Sequence, residues 1–384
     1  MRVAIVTETF LPQVNGVVRM LMEYLAYLEA HGHDAIVFAP GDEDQTCHSF
    51  DVLSVRGAAF PLYPELTLAP YSRRMHGALR EWRPDIIHLA GPFVLGGQGL
   101  AVARALGVPV AAHYQTDLVR YAEHFGLGAL TGLAWRRLLN IHNGCDVTFA
   151  PAPAVARELR ARGMRRVHIC GRGVDATTFH PAHRDALARQ RLNGGGGAPL
   201  LLYVGRLSPE KNLTALAAVA RALPAYPLVI VGDGPARADL TADLAGLNVH
   251  VTGALHGEAL VKAYASADLF LFPSQTETFG QVVREAMASG LPTVAVRAGG
   301  VQDLVMDGQT GRLCPPDDTP AFVDATRALA ADPALRYAMG AAARREAERY
   351  SWDTIFDRLM GWYAGLATPQ QIAISGQQSA VSFK

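Results

Sequence analysis

Neither sign of charge predominates in this chain: 35 Lys and Arg residues balance 35 Asp and Glu, for a formal net charge of zero. That balance argues against nucleic acid as the main partner, because phosphate backbones are gripped by a basic excess. Cysteine is scarce. Cys47, Cys145, Cys170 and Cys314 are scattered without a CxxC pair or metal-ligand spacing, as expected of ordinary thiols in a reducing cytosol. No stretch approaches the roughly 20 apolar residues that span a bilayer. The apolar run within Met1–Val6 is too short for a secretory signal. The expectation is a soluble, cytoplasmic protein, free to rest on the inner membrane surface as a peripheral contact. What is plentiful is apolar content: half of the 384 residues are hydrophobic, enough to fill two ordinary domain cores.

Short apolar runs alternate with amphipathic segments along the whole length. In the first half they are Arg2–Thr7, Ala35–Ala39, Val52–Val55, Asp85–Leu89, Val108–Ala112 and Asp146–Pro151. In the second they are Leu200–Gly205, Leu228–Val231, Val249–Gly253, Asp268–Pro273 and Pro292–Val296. Runs of this length between helical patterns predict βαβ units and parallel sheets. The expected fold class is α/β, two Rossmann-like doubly wound domains facing one another across a cleft. Ligands in such sheets bind at the carboxyl ends of the strands. The glycine run Asn193–Gly197 reads equally as an inter-domain hinge or a lengthened surface loop.

The most informative segment is 273–285, Pro-Ser-Gln-Thr-Glu-Thr-Phe-Gly-Gln-Val-Val-Arg-Glu. A buried strand is expected just before it, and Val282, Val283, Ala286 and Met287 fall at helical spacing after Gly280. Glu277 then lies in a strand-to-helix loop, with Glu285 just over one turn inside the helix. Two acceptors so placed can hold two polyol groups of one ligand, while the helix N-terminus between them offers amides to an anion. A nucleotide sugar has that layout. The spacing by itself is equally met by a helix-start carboxylate and a solvated helical Glu.

Two further strings carry chemistry. In Gly205-Arg206-Leu-Ser-Pro-Glu-Lys211-Asn212, Arg206 and Lys211 flank a tight turn before a helix expected over Leu213–Leu223. Arg clamps a phosphate with two hydrogen bonds and Lys adds a compact charge, although a basic surface turn would read the same. Near the start, Glu8-Thr-Phe-Leu-Pro12-Gln-Val-Asn15-Gly16 precedes a helix expected over Val17–Ala30. Gly16 there lets the backbone approach a phosphate or sugar.

Together these strings resemble the retaining glycosyltransferases of family 4, which have the GT-B fold. The resemblance runs from Met1 to Leu366 and is most specific at residues 205–212 and 273–290. It implies an acceptor domain over 1–178, a nucleotide-sugar donor domain over 179–352, a helix over 353–366 crossing back to the first domain, and a flexible tail at 367–384. By the same resemblance, Arg206 and Lys211 take the diphosphate, Glu277 and the Phe279 and Gly280 amides hold sugar hydroxyls, and Glu285 holds ribose. Gly205 and Gln281 are counted with the substrate-binding residues. Many relatives carry a His where Gln115 stands in His113-Tyr114-Gln115-Thr116-Asp117. The Gln-Thr-Asp form resembles the mannosyltransferase branch. Gln115 offers both donor and acceptor to a sugar hydroxyl, Asp117 orients the acceptor or holds the loop, and His113 is expected to be structural.

The implied reaction is retaining transfer of a hexose, mannose from GDP-mannose, to a hydroxyl of a lipid or glycan. A UDP-sugar enzyme is the alternative, and a non-catalytic nucleotide-sugar binder lies beyond it. The donor is a substrate, and neither cofactor nor metal is expected. Asp42-Glu43-Asp44 is nominally a metal-binding DxD but reads as a solvated acidic loop. The basic string Tyr71–Arg83, which includes Trp82, reads as a solvated helix face or as a contact with anionic membrane.

Overall fold

The computed structural model describes residues 1–13, 15–60, 63–68, 72–115, 131–193 and 196–368. Every run read as a strand contains one. The first half holds β1 (Arg2–Thr7), β2 (Asp34–Pro40), β3 (Gln45–Cys47), β4 (Phe50–Val55), β5 (Ala58–Phe60), β6 (Tyr63–Leu68), β7 (Ile86–Ala90), β8 (Val110–His113), β9 (Val147–Ala150) and β10 (Val167–Ile169). Eight of these make one sheet in the order β10-β9-β8-β7-β1-β2-β4-β3. It is parallel throughout except for β3, which runs antiparallel to β4. β5 and β6 form a separate antiparallel ribbon.

The second half holds β11 (Leu201–Val204), β12 (Leu228–Val231), β13 (Val249–Gly253), β14 (Leu269–Phe272), β15 (Thr293–Val296) and β16 (Gly311–Cys314). They form a parallel sheet in the order β13-β12-β11-β14-β15-β16. Central strands such as Leu-Leu-Tyr-Val and Leu-Phe-Leu-Phe are buried along their whole length, as strands covered by helices on both faces must be. Of the strands the periodicity does not announce, β3, β10 and β16 lie at sheet edges, and β5 and β6 make up the separate ribbon. At an edge a strand can be short and polar, because one side needs no partner.

The chain passes from the first sheet to the second just after β10, and Val174 and Phe179 already pack in the second core. The glycine run is not that crossing. On either side of it, Arg189 donates to the Ser266 and Ala198 carbonyls at 2.6 and 3.0 Å, both within the second half. It is a loop inside that half, and Gly194 and Gly195 lie outside the described residues. At the far end, the helix Trp352–Ala367 returns to the first half and seats Ile355, Phe356, Leu359, Met360 and Tyr363 in the core around Tyr24. Gly173 sits at the crossing because a Cβ there would lie 2.4 Å from the Trp352 nitrogen. Residues 369–384, most of the segment expected as a flexible tail, lie outside the described residues.

Candidate functional site

The carboxyl ends of β1, β7, β11 and β14 lead to one cavity of about 630 Å³ between the two sheets. Its second-half wall begins with the turn after β11. Pro209–Lys211 is a single 3-10 turn, and Asn212 in the left-handed region hands the chain to the helix Leu213–Ala222. This geometry brings Lys211 back over the strand end, with its side chain one-tenth exposed. Its Nζ lies 2.5 Å from Glu277 Oε1. Gly205, Arg206 and Lys211 all line the cavity, and the Tyr203 hydroxyl supports the turn by donating to the Arg206 carbonyl at 3.2 Å.

Glu277 is delivered by the loop after β14, which a pair of glycines holds from below. The Gly300 amide donates to the Glu277 carbonyl at 2.8 Å. A Cβ on Gly299 or Gly300 would stand 2.1 Å from the Glu277 oxygen or 2.2 Å from the Thr278 oxygen. Only glycine permits that approach. Gly280, at φ 95°, starts the helix Gln281–Ala288, and Phe279, Gly280 and Gln281 line the cavity beside Glu277. The Gln281 amide nitrogen is spent on the Gly173 carbonyl at 3.0 Å, while its Oε1 is buried without a partner.

Glu285 departs from its expected place. It does not line the cavity. Just past the first turn of its helix, the side chain is turned inward, where it is fully buried and accepts from the Tyr264 hydroxyl at 3.0 Å. Arg19, from the helix Gly16–Ala30 of the other half, reaches it at 2.7 Å. Burial pushes the Glu285 carboxyl up and the Arg19 charge opposes that rise. Tyr264 and Arg19 thus supply the partners that a buried carboxylate needs.

The first-half wall is built differently. Gly16 lines it, and Asn15 caps its helix by accepting from the Val17 and Val18 amides at 3.0 and 3.1 Å. Gln115 follows β8 and is only 4% exposed, yet neither atom of its side-chain amide has a partner. Its carbonyl ties the two walls together by accepting from the Thr278 hydroxyl at 2.8 Å. Asp117 lies outside the described residues. His113 is in the core rather than the cavity, its ring 5.3 Å from Phe149, and burial holds it well below the usual imidazole range.

Two residues of this wall carried no sequence expectation of their own. Arg172, between Gly171 and Gly173, is a third cation on the cavity. Its guanidinium lies 3.0 Å from where a Gly16 Cβ would be and 6.0 Å from the Phe279 ring, and its buried Nε has no partner. Burial lowers its pKa to about 10, and nearby Glu277 opposes the shift. The string Gly-Arg-Gly at the end of β10 was the available signal. Glu8, at the end of β1, is 3% exposed and lines the same wall.

The two side motifs resolve simply. Asp44 of the acidic loop pairs with Arg74, which with the Ser54 amide holds its carboxyl down at about 2. Among the described residues no group of three or more His, Cys, Asp or Glu side chains is placed to hold a metal. In the helix Arg73–Trp82, Met75 and Leu79 face the core, and the Arg2 guanidinium covers Trp82 at 4.5 Å. Tyr71 lies outside the described residues. No helix among the described residues is long and apolar enough to cross a membrane.

Comparison with known proteins agrees with this geometry. Residues 14–178 match the family model described as Glycosyltransferase Family 4, and residues 185–346 match Glycosyl transferases group 1. A GDP-mannose-dependent alpha-mannosyltransferase of Mycobacterium tuberculosis is 41% identical over 94% of this chain and 96% of its own length. One from Corynebacterium glutamicum is 38% identical over 98% of this chain and 92% of its own. Among solved structures, Anabaena HepE in complex with UDP and glucose superposes with a TM-score of 0.79 at 20% identity, over 95% of this chain and all of that one. Sucrose-phosphate synthase from Thermosynechococcus elongatus gives 0.79 at 23% identity, over 95% and 98%. At that identity the likeness is one of fold.

Proposed function

The chain belongs to glycosyltransferase family 4 and is a hexosyltransferase of GT-B fold; from that premise we propose that it transfers mannose from GDP-mannose to a hydroxyl of a lipid or glycan, without a metal. The observation that carries this reading is the Lys211–Glu277 pair, set with Arg206 and Arg172 around one cavity between the sheets. The donor's diphosphate meets Arg206 and Lys211, and Glu277 is released to a sugar hydroxyl. The bond from the sugar C1 to the diphosphate breaks and C1 joins the acceptor oxygen on the same face. The acceptor proton leaves with the departing phosphate. Negative charge grows on the leaving group, so cations aimed at it stabilise the transition state more than the ground state.

The identity of the donor rests on the two mannosyltransferase relatives and on Gln115. Calorimetry of GDP-mannose and UDP-glucose in the presence of EDTA tests it. Tight binding of GDP-mannose alone, with transfer unaffected by EDTA, is the expected outcome. A preference for UDP-glucose, or a requirement for added metal, overturns it. Contact with an anionic membrane belongs to the same proposal and uses the exposed Arg73, Arg80 and Arg83. With Trp82 covered by Arg2, that contact is electrostatic, so binding to phosphatidylglycerol vesicles is expected to vanish in high salt.

A further inference from the structure

The carboxylate of Glu8 is held in an unusual way. Its Oε1 accepts from the amides of Phe93, Val94 and Gly96 at 2.7, 2.7 and 2.9 Å. Val94 and Gly96 are among the orphan donors at the start of the helix Leu95–Leu106 and Phe93 just precedes it; the capping position, Val94, offers no side-chain cap. One oxygen therefore satisfies the helix end. The other, Oε2, is buried and has no partner. Glu8 is a wall residue of the cavity, on the first-half side, facing the charged turn of Arg206 and Lys211 across it.

A helix cap needs one oxygen, and an apolar wall would need none. Leaving a carboxylate oxygen desolvated and unpaired is costly unless something occupies it. Burial raises the Glu8 pKa and the backbone amides around it oppose that rise; in its ionised form the carboxylate only accepts hydrogen bonds. Its complement is a hydroxyl. A phosphate at the same place would meet like charge in a site of low dielectric.

We propose that Glu8 is a substrate-positioning residue whose Oε2 accepts a hydrogen bond from a hydroxyl of the acceptor, selecting a polyol over a phosphorylated group at that point of the wall. The inference rests on the glycosyl-transfer reading above and adds the acceptor chemistry to it. Because Oε1 is locked by three backbone donors, Oε2 is fixed before the acceptor arrives. Little side-chain entropy is then lost on binding.

Glu8→Gln separates the two jobs of the side chain. The amide oxygen can still hold the three backbone donors, while the amide nitrogen replaces the unpartnered Oε2. Full-length wild-type and E8Q protein would be compared for GDP-mannose affinity, thermal midpoint, and transfer to methyl α-D-mannopyranoside as a probe acceptor. Where that sugar is not used, hydrolysis of GDP-mannose is read instead, with water in the acceptor's place. Expected is a rise in probe KM, or a fall in hydrolysis rate, of about tenfold, as for a lost charge-assisted hydrogen bond. Donor affinity should stay within about twofold and the midpoint within a few degrees, since cap and donor wall are intact. An unchanged probe KM overturns the proposal. So does a joint loss of midpoint, donor affinity and transfer, which would mark Glu8 as a helix cap alone. If wild-type protein neither binds nor consumes GDP-mannose, the mannosyl reading itself falls and this inference with it. Wild-type transfer that E8Q leaves untouched would sink Glu8 only.

Discussion

The two walls of the cavity solve the problem of polar burial in opposite ways. On the second-half wall the charged groups satisfy one another: Lys211 is paired with Glu277, and the loop that carries Glu277 is clamped by Gly299 and Gly300. The second-half wall leaves uncharged atoms unpartnered, Gln281 Oε1 and Thr276 Oγ1, whereas on the first-half wall charged side chains also have atoms left over. Gln115 has neither amide atom bonded, and Glu8 Oε2 and Arg172 Nε are buried without partners. The difference separates rigidity from readiness. A cation already held in place needs no reorganisation, so the second-half wall is preorganised to meet developing negative charge. Orphaned groups pay their desolvation cost in the empty protein and recover it when a ligand arrives.

Removing the cation from the paired wall should be the most damaging change. Lys211→Ala takes a charge from the leaving group and strands Glu277, so kcat/KM is expected to fall by about 10²–10³, with the far-ultraviolet dichroism unchanged. Activity within a few-fold of wild type would remove Lys211 from the site. Next comes the clamp beneath that wall. Gly300→Ala drives a methyl against the Thr278 oxygen, which should cost about 1–3 kcal/mol of stability and displace Glu277. Calorimetry should then show donor affinity lower by about tenfold or more.

The unpaired wall should answer differently, and this is the sharpest test of the contrast. Gln115→Leu removes two unsatisfied buried polar atoms while keeping the side-chain size. Thermal unfolding should show a midpoint equal to or above that of wild type, while kcat/KM drops by about tenfold as the sugar loses hydrogen bonds. A matched fall in both would mean that Gln115 is structural. The smallest effect at neutral pH is expected from Arg172→Lys, which keeps the charge and loses a few-fold in kcat/KM. Its pH profile is more informative. Wild-type Arg172 loses its proton only near 10, so activity that needs the cation falls as pH rises through that value. In the Lys variant the alkaline fall should come about two units lower, because an ammonium starts from a lower intrinsic pKa. Coincident profiles would show that the charge at 172 is not used.

Much of the second-half wall was legible in the sequence because it is local. Arg206 and Lys211 lie five residues apart on one turn, and Glu277 and Gly280 lie on one strand-to-helix loop, so each motif needs only its own backbone to form. The first-half wall is assembled from the ends of β1, β8 and β10, which are spread along the chain from Thr7 to Ile169. Glu8 and Arg172 look unremarkable until those strand ends meet. Glu285 shows the converse. Its spacing from Glu277 placed it one turn into a helix correctly, but helix phase and the arrival of Arg19 from the other half decided that it faces Tyr264 and not the cavity.

The chain's own pattern of apolar runs and turns determined two largely parallel α/β sheets and the place of the turn that carries Arg206 and Lys211, since hydrophobic periodicity and strand-end glycines act over a few residues. The residues that the returning helix Trp352–Ala367 seats around Tyr24, and the partners of every buried charge, were decided only in three dimensions. Those outcomes depend on which surfaces come together, and a charge finds its energetic meaning only from what is packed against it.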